Sequence, residues 1–252
     1  MKKTFRFHLE SLYGKIRNSK PEISTFSAKD PDEGLDQKLK NLNANQPTEL
    51  CAIMKDQNSD KGIARHNYTT VYNALFSDLR NKELEFFELG IGTNNTKKVS
   101  NMGEKGTPGA SLRGWSTYFP NSKIYGADID KDILFSTEKI NTYYCDQTDQ
   151  AAIKNMWNEI GDSKEFDIII EDGLHTYDAN ISFFEPSIEK ISKTGYYIIE
   201  DVELKEFPRW VEIIESNYIK KYPHLVFVMI KLPVRPLESN TDNNLIVVYH
   251  AR

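Results

Sequence analysis

The chain has 252 residues, 39% hydrophobic and 12% aromatic, with a net charge of -5 and a sequence pI near 5.6. That excludes wholesale disorder, since there is ample apolar surface to build a core. It also argues against a nucleic-acid binder, whose affinity rests on neutralising phosphates. The N-terminus MKKTFRFHLESLYGK lacks the apolar run of about 7–15 residues that a signal peptide needs, and no stretch approaches the roughly 18 of a membrane span. The expectation is a cytoplasmic protein with Cys51 and Cys145 as free thiols.

Residues 1–20 are basic (Lys2, Lys3, Arg6, Lys15, Arg17 and Lys20 against Glu10) and read as a solvated arm or a contact between subunits of a homo-oligomer, or else as a contact with an acidic partner or lipid surface. Residues 21–60 are polar and interrupted by Pro21, Pro31 and Pro47, which predicts loop with one short helix near 34–43. The organisation is thus an N-terminal extension, 1–58, and one domain, 59–252. Tyr68, Val71, Tyr72, Leu75 and Leu79 recur at helical spacing, with Thr69 or Thr70 available as a cap.

From there the chain alternates. Strands are predicted at Glu85–Leu89, Lys123–Ile129, Thr142–Cys145, Phe166–Glu171 and Tyr196–Asp201. Helices fall between them, marked by Leu112, Trp115 and Phe119, by Ile153, Met156, Trp157 and Ile160, and by Ile181, Phe184, Ile188 and Ile191. Gly161 ends the second of these helices and Pro186 should kink or divide the third. After a helix at Trp210–Tyr218, strands at Val226–Leu232 and Leu245–Tyr249 have only a proline-containing loop between them (Pro233, Pro236), which predicts an antiparallel pair at the sheet edge. The fold class is α/β: a Rossmann-like, doubly wound, seven-stranded sheet, parallel with an antiparallel ending.

Ligands of open α/β sheets sit outside the carboxyl ends of the strands, and here those ends carry the chemistry. ELGIG at 88–92 places Gly90 and Gly92 after the first strand, where Glu88 can meet a cationic group. The spacing is not GxGxxG, and about 17 residues separate Gly92 from the next helix, so a phosphate turn is disfavoured. Those residues, 93–109, carry Lys97, Lys98 and Lys105 and read as a lid or as a solvated loop. Asp128, with Asp130 beyond it, ends the second strand, placed for ribose hydroxyls or as a helix cap; Asp146 and Gln147 end the third. Asp172 and His175 follow the fourth strand, Glu200 and Asp201 the fifth. Converging carboxylates repel one another unless a cation such as Mg²⁺ joins them, and His175 has the intrinsic pKa of a general base. Without such a role, Asp172 and Asp201 would be caps and His175 a packed neutral ring.

DKG…H-x-Y at 60–68, FELGIGTNN, PGASLRGW, YGADID, CDQTD, EDGLH and YYIIEDV occur in order. As a set they resemble class I S-adenosylmethionine (SAM)-dependent sugar O-methyltransferases, of the kind that modify macrolide deoxysugars and bacterial surface-polysaccharide sugars. The resemblance implies that Glu88, Gly90 and Ser111 hold the methionine end of SAM, Asp128 the ribose and Asp146 the adenine side. It also implies that Asp172, Glu200 and Asp201 ligate Mg²⁺, with His175 as base. The acceptor expected on that basis is a nucleotide-linked hexose or heptose used for capsule or other surface polysaccharide. Leu174 stands where a small serine is common in the family. Two further readings are a metal-independent small-molecule O-methyltransferase and a catalytically inactive nucleoside-binding scaffold.

Overall fold

The computed structural model describes residues 20–62, 65–233 and 241–251. The basic arm therefore lies outside the described residues except for Lys20, as does Pro236. In chain order the strands are β1 (Glu22–Ser27), β2 (Glu85–Leu89), β3 (Lys123–Asp128), β4 (Ile140–Tyr144), β5 (Phe166–Glu171), β6 (Ile191–Ile199), β7 (Leu225–Lys231) and β8 (Asn244–His250). The main helices are α1 (Glu33–Lys40), α2 (Glu49–Asp56), α3 (Tyr68–Phe76), α4 (Ala110–Tyr118), α5 (Gln150–Ile160), α6 (Tyr177–Ser187) and α7 (Phe207–Ile213). No helix among the described residues is long and apolar enough to cross a membrane.

All eight strands form one sheet in the order β1-β7-β8-β6-β5-β2-β3-β4. From β4 to β6 the pairings are parallel, and the order turns back between β2 and β5. This is the switch point at which two neighbouring strand ends part and leave a crevice. β8 inserts between β6 and β7, antiparallel to both. The expected pair β7–β8 is therefore present but interior, because β1 adds antiparallel to the far side of β7. The polar segment expected as loop supplies this eighth strand and the helix α2 as well as α1.

Side-chain alternation explains why the sheet is covered on both faces. In β5, Ile168 and Ile170 point into one cluster with Phe86, Trp115 and Tyr72, while Ile169 joins Phe87, Trp157 and Phe183 on the other. A strand buried on both sides needs a continuous apolar run, and Ile168-Ile169-Ile170 provides it. α5 starts where the Asp149 carboxylate accepts from the Ala151 N–H at 2.8 Å and stops at Gly161, whose φ of 129° few side chains tolerate. Pro186 is the last residue but one of α6, so the helix ends in a short 3₁₀ turn at Ile188–Lys190 rather than continuing. α3 begins at Asn67 with no side-chain cap, in place of the cap expected at Thr69 or Thr70; the Thr70 hydroxyl donates back to the Asn67 carbonyl at 2.6 Å. α7 runs on through a π-helical turn, Ile214–Tyr218.

Candidate active site

The carboxyl ends of β2, β3, β5 and β6, the loop 93–109 and the segment before α3 enclose a cleft of about 650 Å³. That volume falls in the range of small-molecule sites. Gly90, Ser111, Asp128, Asp146, Asp172, His175, Glu200 and Asp201 all line it. Glu88, in β2, is fully buried and does not line it.

On the β2 side, Gly90 has φ of 82°, and a Cβ there would lie 1.8 Å from the Asp172 carbonyl oxygen. Glycine is thus required by the crossing of two backbone segments, a reason more local than approach to a ligand. Glu88 lies 3.1 Å from Lys61 Nζ, yet neither of its oxygens is met by a hydrogen bond of good geometry. Burial pushes its pKa up, opposed first by Lys61. The ammonium that this buried carboxylate faces in the chain itself is that of Lys61. Asp128 is nearly buried and accepts from the Ile91 and Asp130 N–H groups at 3.0 and 2.8 Å, which fixes the glycine loop against β3. Asp130 accepts from the Thr93 hydroxyl and from the Asp132 N–H, so it organises the loop start and caps the next turn. Asp146 accepts from Thr148. Gln147 is tied to Glu171 and to the Leu174 N–H, joining the ends of β4 and β5.

On the β5–β6 side three acids converge: Asp172, Glu200 and Asp201. Asp172 Oδ1 pairs with His175 Nε2 at 3.0 Å, and His175 Nδ1 faces Asp201 Oδ2 at 3.5 Å. The imidazole therefore stands between two carboxylates. Burial alone would lower its pKa, but the hydrogen bond to Asp172 and the charge of Asp201 raise it to about 10. Asp201 also accepts from the Tyr68 hydroxyl and lies 3.6 Å from His66 Nδ1. Asp172, His175 and Asp201 are, among the described residues, the group whose ligand atoms all lie within 4.8 Å of one another.

Glu200, expected as a metal ligand beside Asp172 and Asp201, has partners within the chain. Its Oε2 accepts from Lys61 Nζ at 2.6 Å and its Oε1 from the Tyr72 hydroxyl, so each oxygen has one donor. Lys61 also reaches Asp172 Oδ2 at 2.5 Å. Burial would lower the Lys61 pKa; Asp172, Glu200 and Glu88 reverse this and hold it well above the usual lysine value. Sequence reasoning assigned no role to Lys61, Tyr68 or Tyr72. Lys61 and Tyr68 stood out only by their place in DKG…H-x-Y, and Tyr72 only as a packing position at helical spacing, because a lone lysine is normally solvated.

The strand order and the crevice at its switch point define the class: a Rossmann-like methyltransferase fold, mostly parallel with an antiparallel edge strand. It is similar to the MycE methyltransferase from the mycinamycin biosynthetic pathway in complex with Mg, SAH and mycinamycin VI, at 21% identity and a TM-score of 0.59 over 82% of this chain and 56% of that one. Among curated proteins, the 8-demethyl-8-alpha-L-rhamnosyl tetracenomycin-C 2'-O-methyltransferase of Streptomyces olivaceus is 28% identical over 160 residues, 63% of this chain and 39% of that protein. Mycinamicin VI 2''-O-methyltransferase of Micromonospora griseorubida is 31% identical over 143 residues, 57% of this chain and 33% of that protein. The chain thus spans about two fifths or less of the curated relatives it matches. No protein-family model matches the sequence.

Proposed function

We propose that this chain transfers a methyl group from SAM to a sugar hydroxyl. The observation that carries the reading is the meeting, in one cleft, of the glycine turn that follows the buried Glu88 (Gly90) with an imidazole held between two carboxylates (Asp172, His175, Asp201). The relatives support a sugar acceptor, since the Streptomyces olivaceus enzyme is named for 2'-O-methylation of a rhamnosyl compound. Arg65, Lys97, Lys98 and Lys105 line the cleft and favour an acceptor with phosphates, such as a nucleotide-linked hexose or heptose.

SAM, when bound, supplies a methyl on a sulfonium, and the electron pair of the broken carbon–sulfur bond stays on sulfur. Glu88 would hold the amino group, with Ser111 beside it. Asp128 would face the ribose, and Asp146 the adenine side. His175 would take the proton of the attacking hydroxyl, with Asp172 fixing the ring through Nε2. To do so it must shed the proton that the two carboxylates favour, and screening of those carboxylates by a cation would assist. Oxygen donors from Asp172 and Asp201 suit Mg²⁺, which would bring positive charge to the developing alkoxide. Orientation of the acceptor would supply much of the remaining acceleration.

His175→Ala is expected to lower kcat by about 10²- to 10⁴-fold while leaving the affinity for S-adenosylhomocysteine, read by calorimetry, nearly unchanged. A variant with wild-type turnover on every sugar nucleotide and phenol tried would remove the base assignment.

A further inference from the structure

Glu171 closes β5 at 1% exposure and does not line the cleft. A carboxylate in so dry a place is costly unless donors meet it. Two do: Gln147 Nε2 donates to Oε1 at 2.5 Å, and the Tyr197 hydroxyl of β6 donates to Oε2 at 2.8 Å. Tyr197 is itself fixed, fully buried with its ring edge-on to Phe184 at 5.2 Å. The carboxylate in turn fixes the Gln147 amide, because only Nε2 can donate to it. That leaves Gln147 Oε1 pointing at the turn after β5, where it accepts from the Leu174 N–H at 2.8 Å. The approach is so close that a Cβ on Gly173 would stand 2.1 Å from this oxygen. The turn is therefore held at its start by the Asp172 N–H, which donates to the Leu89 carbonyl at 2.8 Å, and at its middle by Gln147. His175 follows directly with φ of 59°, a conformation that persists only where neighbours enforce it. The sheet separates β4 from β5 by β3 and β2, so no backbone pairing joins the two ends that Gln147 and Glu171 connect.

We propose that Glu171 and Gln147 are positioning residues for His175: the run Tyr197–Glu171–Gln147 holds the Leu174 amide, and through it the turn that sets the imidazole between Asp172 and Asp201. Both act through the backbone of the turn. An apolar side chain at position 171 could fill the same space without partners, but it would leave the Gln147 amide free to rotate away from Leu174. The inference rests on the methyl-transfer reading only for what His175 does, and its test needs no turnover.

The test is amide hydrogen exchange of the full chain, resolved to single residues by NMR, with the His175 ring signals read on the same samples. The variants are Gln147→Ala, Glu171→Met, Glu171→Gln and the double Gln147→Ala/Glu171→Met. Exchange at Leu174 should quicken by about tenfold in Gln147→Ala and in Glu171→Met, with the His175 ring signals shifted in both. Glu171→Gln, whose amide oxygen can still accept from Gln147, should restore both readouts to within about twofold of wild type. The double variant should be no looser than either single one, because both cut the same chain of bonds. Ile169, in the middle of β5, is the control: a merely structural loss would quicken its amide as much as that of Leu174 and would overturn the proposal. An unchanged Leu174 amide in Gln147→Ala would overturn it too, as would unmoved His175 signals once Leu174 is loosened. Should Glu171→Met fail to fold, Gln147→Ala against Glu171→Gln still decides. Calorimetry with S-adenosylhomocysteine separates the two readings: no binding by wild type, with the exchange pattern intact, would sink methyl transfer and leave the brace standing.

Discussion

Three non-glycine residues have positive φ among the described residues: Asn58 at 63°, His175 at 59° and Asp201 at 53°. All three line the cleft. Each such conformation costs on the order of 1–3 kcal/mol and persists only where surrounding contacts enforce it. For His175 and Asp201 the enforcing contacts are the carboxylate–imidazole pairs and the Tyr68 hydroxyl. Gly90 is the complementary case, where strain is avoided by having no side chain. Gly90→Ala is expected to destabilise the fold by about 3 kcal/mol or more in urea unfolding, because Cβ and the Asp172 carbonyl cannot share the space. An unchanged midpoint would show that the two backbones part easily. At this scale the sequence was informative wherever an acid ended an apolar strand: Asp128, Asp172, Glu200 and Asp201 all line one cleft, and Glu88 is buried next to Lys61. It was silent on Lys61, since nothing local distinguishes a lysine that three distant strands will surround.

Among the elements, α3 is the one whose sequence carries both packing and site. Tyr68 and Tyr72 are one helical turn apart, and their hydroxyls reach Asp201 and Glu200, while Tyr72 also stacks on Phe76 and packs edge-on to Trp115. The helix is thereby fastened to the end of β6 by two phenol–carboxylate bonds. Tyr72→Phe keeps the ring and removes one of them. Stability should fall by about 1–3 kcal/mol, the usual cost of leaving a buried acceptor short of a donor, with S-adenosylhomocysteine still bound. A variant as stable as wild type would mean that Lys61 alone satisfies Glu200. The helical period of α3 and the tripled isoleucine of β5 were readable because periodicity is a local property. The place of β8 was not. Two strands joined by a short loop pair with each other in the sequence as in the structure, but which neighbour lies beyond them is decided by long-range packing.

For the whole molecule, the charge economy of the site sets a pH dependence. His175 has its pKa raised from the ordinary 6.5 to about 10 in the folded chain. Its contribution to stability is therefore complete below about pH 6.5 and disappears as pH climbs through about 10. The raised pKa values of Glu200 and Asp201 act in the same direction, since their carboxylates ionise at a cost in the fold. Thermal midpoints should decline between these pH values, and His175→Asn should flatten the decline. A midpoint that rises over that interval would contradict the imidazole's position between two ionised carboxylates. The overall α/β alternation and the site's location were legible because they follow from periodicity and from acids at strand ends. The eighth strand was not, because EISTFS carries no apolar run and its pairing partner lies some 200 residues away.

That overlooked strand has a consequence for how the molecule behaves in a crowded solution. β7 reads LVFVMIK, six buried apolar residues followed by one lysine, and its backbone would be an open template for another chain if it ended the sheet. β1 covers that template with EISTFS, a segment whose outward residues are polar and whose Glu22 pairs with Lys231 at 3.0 Å. Residues 22–27 thus act as a guard against edge-to-edge self-association, and a form of the chain stripped of them would present an apolar, unpaired strand edge to every neighbour.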